Sequence, residues 1–222
     1  MPNFRLGDTI PNFCAETTQG RINFYEWQGN KWVVLFSHPK DFTPVCTSEL
    51  SKIAFWEPYF SKRSTKFLAH SCDSLNDHLT WARDIVSYCK YLPKDELPFP
   101  IMADEDGHLA KFLDLLDANS DINRTSRPLY IIDPKHELRF SLHYPATTGR
   151  SPKEILRILE SLQLCDRVPQ VETPVDWKLG DKVFVKSEVK DGEVRRMFLK
   201  GVRNEYISHR GAIRSIEDYE LF

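Results

Sequence analysis

The sequence lacks an excess of charge of either sign. Thirty Lys and Arg stand against 32 Asp and Glu among 222 residues, a formal net charge of −2. No global field would draw in nucleic acid or an anionic membrane. No uninterrupted apolar stretch approaches the ~20 residues that span a bilayer, so membrane insertion is not expected. Met1 to Asp8 has no basic segment followed by an apolar one, so no secretory leader is expected. These absences point to the cytoplasm or another reducing compartment. The five cysteines, Cys14, Cys46, Cys72, Cys89 and Cys165, are odd in number, which argues against a simple disulfide framework. None is paired in Cys-x-x-Cys spacing, so neither a thioredoxin-type dithiol nor a zinc ribbon is expected. The histidines are scattered, no metal-ligating cluster is apparent, and no cofactor is expected. Internal repeats and low-complexity segments are missing as well.

What is present is ordinary for a globular protein: 41% hydrophobic and 28% charged residues. The length suits one large domain, or one domain with a small appendage. Strand and helix patterns alternate. Trp32 to Phe36 is a short apolar run of aromatic and β-branched residues, which predicts a buried strand. A helix from Pro44 repeats apolar residues at Leu50, Ile53, Ala54 and Phe60. Lys66 to Ser71 reads as a strand and Asn76 to Tyr91 as a helix capped by Asn76, with Leu79, Ala82, Val86 and Cys89 on one face. Phe99 to Ala103 is a strand and His108 to Leu116 a short helix. Pro128 to Ile132 and Leu138 to His143 are strands joined by the turn-forming Asp133 to Glu137. Ser151, Pro152 and Glu154 have the pattern of a capping box and open a helix with core face Ile155, Ile158, Leu159 and Leu162. This order predicts an α/β three-layer domain. Beyond about Asp166 the pattern breaks. The last ~50 residues are charged, show one short strand candidate at Lys182 to Lys186, and are too few to bury much core alone.

The most informative stretch is His38-Pro39-Lys40-Asp41-Phe42-Thr43-Pro44-Val45-Cys46-Thr47-Ser48-Glu49, where the first long strand hands over to a helix. Thr43 fits the N-cap and Pro44 the first helical position, where a missing amide hydrogen costs nothing. Cys46 then falls in the first turn. The positive end of the helix dipole and the unpaired amides there favour thiolate over thiol, and the thiolate is the nucleophile. A free cysteine is most often a small buried hydrophobe, and that reading suffices for Cys14, Cys72, Cys89 and Cys165.

The pattern Pro-x-x-x-Thr-Pro-Val-Cys-Thr-x-Glu, at Pro39, Thr43, Pro44, Val45, Cys46, Thr47 and Glu49, resembles the peroxidatic-cysteine loop of the peroxiredoxins. Its setting, Phe-Ser-His-Pro-x-Asp-Phe-Thr-Pro-Val-Cys, is closer to the one-cysteine subfamily than to the typical two-cysteine branch. Tyr144 to Arg150, Ser161 to Leu164 and Thr173 to Trp177 also resemble family wording, so the similarity covers nearly the whole chain. It implies a thioredoxin-like fold with a central mixed sheet over residues 1–168. It further implies a small C-terminal domain, 169–222, that packs on the partner subunit of a homodimer.

Peroxide reduction needs a thiolate in line with the O–O bond, donors where charge develops on oxygen, and a pocket that aligns the substrate. Cys46 is the expected nucleophile. The Thr43 hydroxyl can bond sulfur or peroxide, the Val45 and Cys46 amides point out of the helix start, and Pro39 and Pro44 would wall the pocket. The resemblance supplies the missing cation, Arg127 of Ser126-Arg127-Pro128, whose fork can hold thiolate and peroxide oxygen together. Taken alone, Arg127 reads rather as a surface ion pair at a strand edge. Pro128 biases Arg127 to an extended backbone. The resemblance also places Arg150 near Arg127 with Glu49 orienting it, and His38 near the sulfur.

Attack would leave a sulfenic acid at Cys46, which needs a second thiol. Two-cysteine relatives carry it in a Val-Cys-Pro segment before a tryptophan. Here that text is Glu172-Thr173-Pro174-Val175-Asp176-Trp177, with Thr173 in the cysteine's place. An external thiol, glutathione or similar, is therefore the implied reductant, and Cys165 would serve only if the tail moved. The expected activity is a thiol peroxidase acting on hydrogen peroxide and organic hydroperoxides in antioxidant defence. A peroxide sensor or redox-switched holdase using the same cysteine is the alternative, and a thiol–disulfide oxidoreductase is disfavoured for want of a second nearby cysteine. Some relatives in this subfamily also hydrolyse phospholipids through a Gly-x-Ser-x-Gly-like segment with a His and an Asp. This chain has Lys31 in place of the serine, Tyr25 in place of the His and Lys135 near the place of the Asp, so that activity is not expected.

Overall fold

The computed structural model describes residues 4–90, 92, 96–116, 124–198, 202–208 and 211–216. Two compact units divide the chain, Met1–Pro152 and Lys153–Phe222. The division falls at the start of the helix that opens at Pro152, whereas the boundary expected from the sequence, at 168, lies after it.

The first unit begins with a small antiparallel pair, β1 (Cys14–Ala15) and β2 (Ile22–Asn23), and a short helix, α1 (Phe24–Gln28). β3 (Trp32–Ser37) leads into α2 (Pro44–Ser61), β4 (Thr65–Ser71), α3 (Leu75–Tyr88), β5 (Ile101–Ala103), α4 (His108–Phe112), β6 (Arg127–Ile132) and β7 (Leu138–Tyr144). The sheet order is β5-β4-β3-β6-β7. β3, β4 and β5 run parallel, and β6 and β7 join antiparallel. This is the mixed central sheet with flanking helices of a thioredoxin-like fold.

β3 lies in the middle, and all six of its residues are buried. That explains why it reads as a continuous apolar run and not an alternation. Successive side chains still point to opposite faces. Val33 and Leu35 join Leu68, Leu109, Leu113 and Leu138 in the core beside α1 and α4. Phe36, one residue on, meets Phe67 and Phe99 edge-on, with ring centroids 6.0 and 5.8 Å away. α2 carries Leu50, Ile53, Ala54 and Phe60 into the interior, as its spacing predicts.

α3 departs from the sequence reading twice. Ser74, not Asn76, is its N-cap, accepting from the amide of Asp77. Its buried face is His78, Trp81 and Ile85, while Leu79 is 46% exposed. Apolarity alone chose the wrong stripe, because the true one contains a histidine and an indole that find polar partners inside. Tyr91, the expected helix end, lies outside the described residues. The Asp133 to Glu137 turn is held as expected for an Asx turn: Asp133 Oδ1 accepts from the amides of Lys135 and Glu137 at 2.8 and 3.0 Å.

The second unit contains α5 (Pro152–Arg167), β8 (Val171–Glu172), β9 (Val183–Val185), α6 (Asp191–Met197), β10 (Arg203–Ser208) and β11 (Gly211–Ile216). Its four strands form a separate antiparallel sheet, β10-β11-β9-β8. Leu164 from α5 packs with Val171, Trp177, Val183, Val185, Val194, Phe198 and Ile216. The tail's apolar residues thus share a core with α5, a helix that the boundary at 168 places in the other domain. Only β9 was anticipated in the tail.

Candidate active site

Trp32 to Phe36 ends in Ser37, and the chain then loops back over residues 38–43 before α2 begins. Phe42 in that loop has φ of 57°, a left-handed conformation that is costly for an aromatic residue and that tends to persist at functional sites. Thr43 is the N-cap with an extended backbone and Pro44 opens the helix, as predicted. The Thr43 side chain makes no capping bond. Its hydroxyl donates to Lys40 O at 2.8 Å and ties the loop, while Thr43 O accepts from both the amide and the hydroxyl of Thr47 at 2.9 Å. Pro39 is half-buried and Pro44 exposed.

Cys46 falls in the first turn of α2, where backbone N–H groups have no intrahelical acceptor. Its side chain is fully buried. Arg127, at the start of β6 and 81 residues away in sequence, reaches it: Nη2 lies 3.4 Å from Cys46 Sγ. Arg127 is 1% exposed, and its guanidinium is fixed on every side. Nε and Nη2 both donate to Ala146 O at 3.0 and 2.8 Å, and Nη1 donates to Glu49 Oε2 at 2.9 Å. Pro128 follows Arg127 where the β3–β6 pairing has already ended at Leu129, so its missing N–H breaks no bond to β3.

Glu49, one turn beyond Cys46 on α2, joins two arginines. Besides Arg127 it takes Arg150 through Nε to Oε1 at 2.8 Å, Nη2 to Oε2 at 2.7 Å and the Arg150 amide to Oε1 at 2.7 Å. Arg150 also donates from Nη1 to Pro128 O at 2.7 Å and lies over the Phe36 ring, 5.2 Å from its centroid. Burial alone would raise the Glu49 carboxyl, but the hydrogen bonds and charge of Arg150, with the charge of Arg127, outweigh it and hold it below the usual carboxylate range. Two buried guanidiniums against one buried carboxylate leave a surplus positive charge. The sulfur beside Arg127 faces that surplus.

His38 is buried at the other side of the loop. Its Nε2 donates to Asp41 Oδ1 at 2.7 Å. Asp41 Oδ2 lies 2.6 Å from His78 Nδ1 of α3, and His78 Nε2 lies 3.1 Å from Met102 O. Burial would raise the Asp41 carboxyl, but hydrogen bonds from His38 and His78 bring it down to about 2. Burial also keeps His38 below its ordinary value, partly opposed by the bond to Asp41. Among the described residues His38 Nδ1 is buried without a hydrogen-bond partner. Trp81 packs on His38, ring centroids 5.0 Å apart, and donates from its indole nitrogen to Thr47 Oγ1 at 3.1 Å.

The structure therefore gathers Cys46, Arg127, Glu49 and Arg150 into one buried cluster and sets Thr43, Val45 and His38 in the elements around it. Val45 Cγ1 lies 3.6 Å from where a Cβ on Gly149 would stand, so the loop that carries Arg150 rests on the first turn of α2. Asp41, His78 and Trp81 were missed in the sequence. Asp41 stood inside the motif, and His78, Trp81 and Ile85 follow helical spacing, so the signal was there but did not read as apolar. A groove of about 1180 Å³ runs alongside, lined by Phe42, Thr47, Ser51, Phe55, Trp81 and Tyr88 among others, and Cys46 is not part of its lining.

Cys72 is no rival nucleophile: burial, with Asp104, Asp73 and Asp106 nearby, pushes its thiol up to about 12. Burial raises Cys165 too. Thr173, in the place of a resolving cysteine, shares a 2.6 Å hydrogen bond with Ser161. No described helix is long and apolar enough to cross a membrane.

Known proteins are similar to this chain. The AhpC/TSA family matches residues 6–141. Peroxiredoxin-6 of Gallus gallus is 49% identical over 206 residues, covering 91% of this chain and 92% of the relative. Peroxiredoxin-6 of Homo sapiens is 47% identical over 201 residues, 89% of each. Among solved structures, a cysteine-to-serine mutant of the Peroxiredoxin 6 of Arenicola marina superposes with a TM-score of 0.90 at 39% identity, over 97% of this chain and 99% of that one. A yeast mitochondrial 1-Cys peroxiredoxin, described with thiol resolution through glutathione/thioredoxin systems, gives 0.86 at 35% identity, over 96% and 99%.

Proposed function

The chain belongs to the AhpC/TSA family, in its one-cysteine peroxiredoxin branch, and from that premise we propose how its residues divide the work of a thiol-dependent peroxidase. The Cys46 thiolate attacks one oxygen of a hydroperoxide. The O–O bond breaks, Cys46 becomes a sulfenic acid, and the second oxygen leaves as hydroxide or alkoxide and takes a proton. Arg127 holds the sulfur and the developing negative oxygen in the same fork, and because it is already fixed by Ala146 and Glu49 it need not reorganise during reaction. Glu49 positions Arg127, and Arg150 positions Glu49. The amides of Val45 and Cys46 and the lone pairs of Thr43 offer further bonds to the peroxide. Pro39, Pro44 and His38 shape the loop that carries them.

The sulfenic acid is closed by an external thiol, which forms a mixed disulfide with loss of water. A second thiol then releases Cys46 and leaves as the disulfide. Glutathione or a similar small thiol is the proposed reductant. The reading is supported by Thr173 standing where a resolving cysteine would be. It is also supported by the glutathione/thioredoxin systems named for the yeast relative. Hydrogen peroxide and small organic hydroperoxides are the proposed substrates, the cytoplasm the proposed compartment, and a homodimer on which residues 169–222 pack the proposed assembly. One observation carries the assignment: Arg127 Nη2 at 3.4 Å from Cys46 Sγ, both buried.

The test is turnover. With excess glutathione or dithiothreitol, wild type should consume many equivalents of peroxide and Cys46→Ser none above background. A protein that oxidised once and then stalled with every thiol offered would be a sensor instead.

A further inference from the structure

The sequence reading found no metal-ligating cluster, but the sheet builds one away from Cys46. His70 is the penultimate residue of β4, Cys72 follows two positions later on the same face, and Asp104 comes directly after β5. β4 and β5 pair in parallel with His70 opposite Met102 and Ser71 opposite Ala103, so the same register sets Cys72 beside Asp104. An imidazole nitrogen, the thiol sulfur and a carboxylate oxygen all lie within 4.8 Å of one another. They sit at the carboxyl ends of parallel strands, where open α/β sheets bind ligands.

Hydrogen bonds orient the histidine. Its Nδ1 lies 2.9 Å from Ser37 Oγ, which in turn lies 2.5 Å from Thr125 Oγ1. The other ring nitrogen, Nε2, faces Asp104 Oδ2 at 3.1 Å. With the ring proton on Nδ1 and donated to Ser37, the Nε2 lone pair and the carboxylate can share a metal ion. A histidine whose far nitrogen is hydrogen-bonded to the protein is the usual form of an oriented metal ligand. Asp104 is equally well held, with Oδ1 and Oδ2 accepting from the amides of Leu109 and Ala110 at 2.9 and 2.7 Å. Both residues are buried, and Cys72 is half-buried, so solvent reaches the cluster from the sulfur side. Asp73 and Asp106 add negative charge near Cys72 against one lysine, Lys111.

We propose that His70, Cys72 and Asp104 form a binding site for a zinc-class divalent cation, with a fourth, water-filled position on the solvent side. Mixed sulfur, nitrogen and oxygen donors in a three-residue set with one open position suit zinc better than the hard cations magnesium or calcium. The sulfur binds as thiolate, so Cys72 gives its proton to solvent as the ion enters. The site does not use Cys46, and its failure would leave the peroxidase assignment untouched.

The test uses the full chain with Cys46→Ser, which removes the other thiolate, after stripping with a chelator. Zinc binding is followed by calorimetry, and cobalt(II) is used as the spectroscopic stand-in. One ion per chain is expected, with a cobalt spectrum of tetrahedral intensity and a sulfur-to-cobalt charge-transfer band. Adding Cys72→Ser should abolish that band and weaken zinc at least about tenfold, since loss of even an outer-shell partner costs that much. Cys14→Ser, in the same background, should change neither. Failure to bind zinc, a weak octahedral cobalt spectrum without the sulfur band, or equal binding after Cys72→Ser would each overturn the proposal and leave a histidine–aspartate hydrogen bond in its place.

Discussion

Arg127→Lys keeps the positive charge of the site but removes its fork, and the two can be weighed separately. At the observed 3.4 Å, opposite charges attract by about 5 kcal/mol at an effective dielectric constant of 20. A lysine ammonium is a single point on a shorter reach. It cannot meet Ala146 O, Glu49 and Cys46 at once, as Arg127 does. If it settles on Glu49 and stands about 6 Å from the sulfur, the attraction falls to about 3 kcal/mol. The loss of about 2 kcal/mol predicts a drop of about 30-fold in the rate of peroxide attack. Arg127→Ala, which loses the donor altogether, should fall by about 10²–10³-fold. Trp81 packs on His38 and bonds Thr47 next to Cys46, so its fluorescence gives a stopped-flow signal for a single oxidation without any reductant. If Arg127→Lys reacted within about threefold of wild type, well under 1 kcal/mol, the geometry of the fork would be irrelevant and the argument from Arg127 would be wrong.

Glu49→Gln leaves two guanidiniums buried with no carboxylate between them, which should cost about 3–5 kcal/mol and lower Tm by about 6–20 °C. Because Glu49 titrates lower when folded, its contribution is complete above the unfolded value of about 4.3 and is lost as pH falls through the folded one. Urea midpoints of wild type and Glu49→Gln should therefore converge in acid, and parallel curves would contradict the ion cluster. Asp41→Asn withdraws the carboxylate shared by His38 and His78 and should cost about 1–3 kcal/mol in the same titration; no measurable loss would mean the pair does not hold the loop. Since burial lowers His38, the unfolded chain takes up the proton first, and wild-type stability should decline as pH drops through about 6.5. Calcium-independent release of fatty acid from phospholipid vesicles should be undetectable, because Lys31 is no acyl nucleophile and Tyr25 is stacked on His136 with ring centroids 3.6 Å apart. Clear release by pure protein would refute that.

The parts of this fold that announce themselves in sequence are those whose local chemistry and tertiary role agree. β3 is buried on both faces and reads as an unbroken apolar run. Thr43-Pro44 reads as a helix start because the backbone rules for a cap need no partner. Residues whose role depends on a distant partner do not read this way. Nothing near Arg127 says that it will meet Cys46, and only family resemblance places it there. His78 and Trp81 misdirected the choice of the α3 face, since a buried histidine is legible only once Asp41 is opposite it. His70, Cys72 and Asp104 come together through the register of two parallel strands separated by a helix, and spacing along the chain carries no trace of that. The C-terminal sheet was missed because β8 has only two residues, β10 and β11 carry polar residues, and the core they cover is completed by α5.

The account depends on one sulfur reacting and on no other protein sulfur closing the cycle. One equivalent of hydrogen peroxide in the presence of a sulfenic-acid trap, followed by peptide mass spectrometry, reads both. The trap should label Cys46, leave Cys14, Cys72, Cys89 and Cys165 reduced, and reveal no intramolecular disulfide. Labelling at another cysteine, or a Cys46–Cys165 disulfide in place of the adduct, would contradict it.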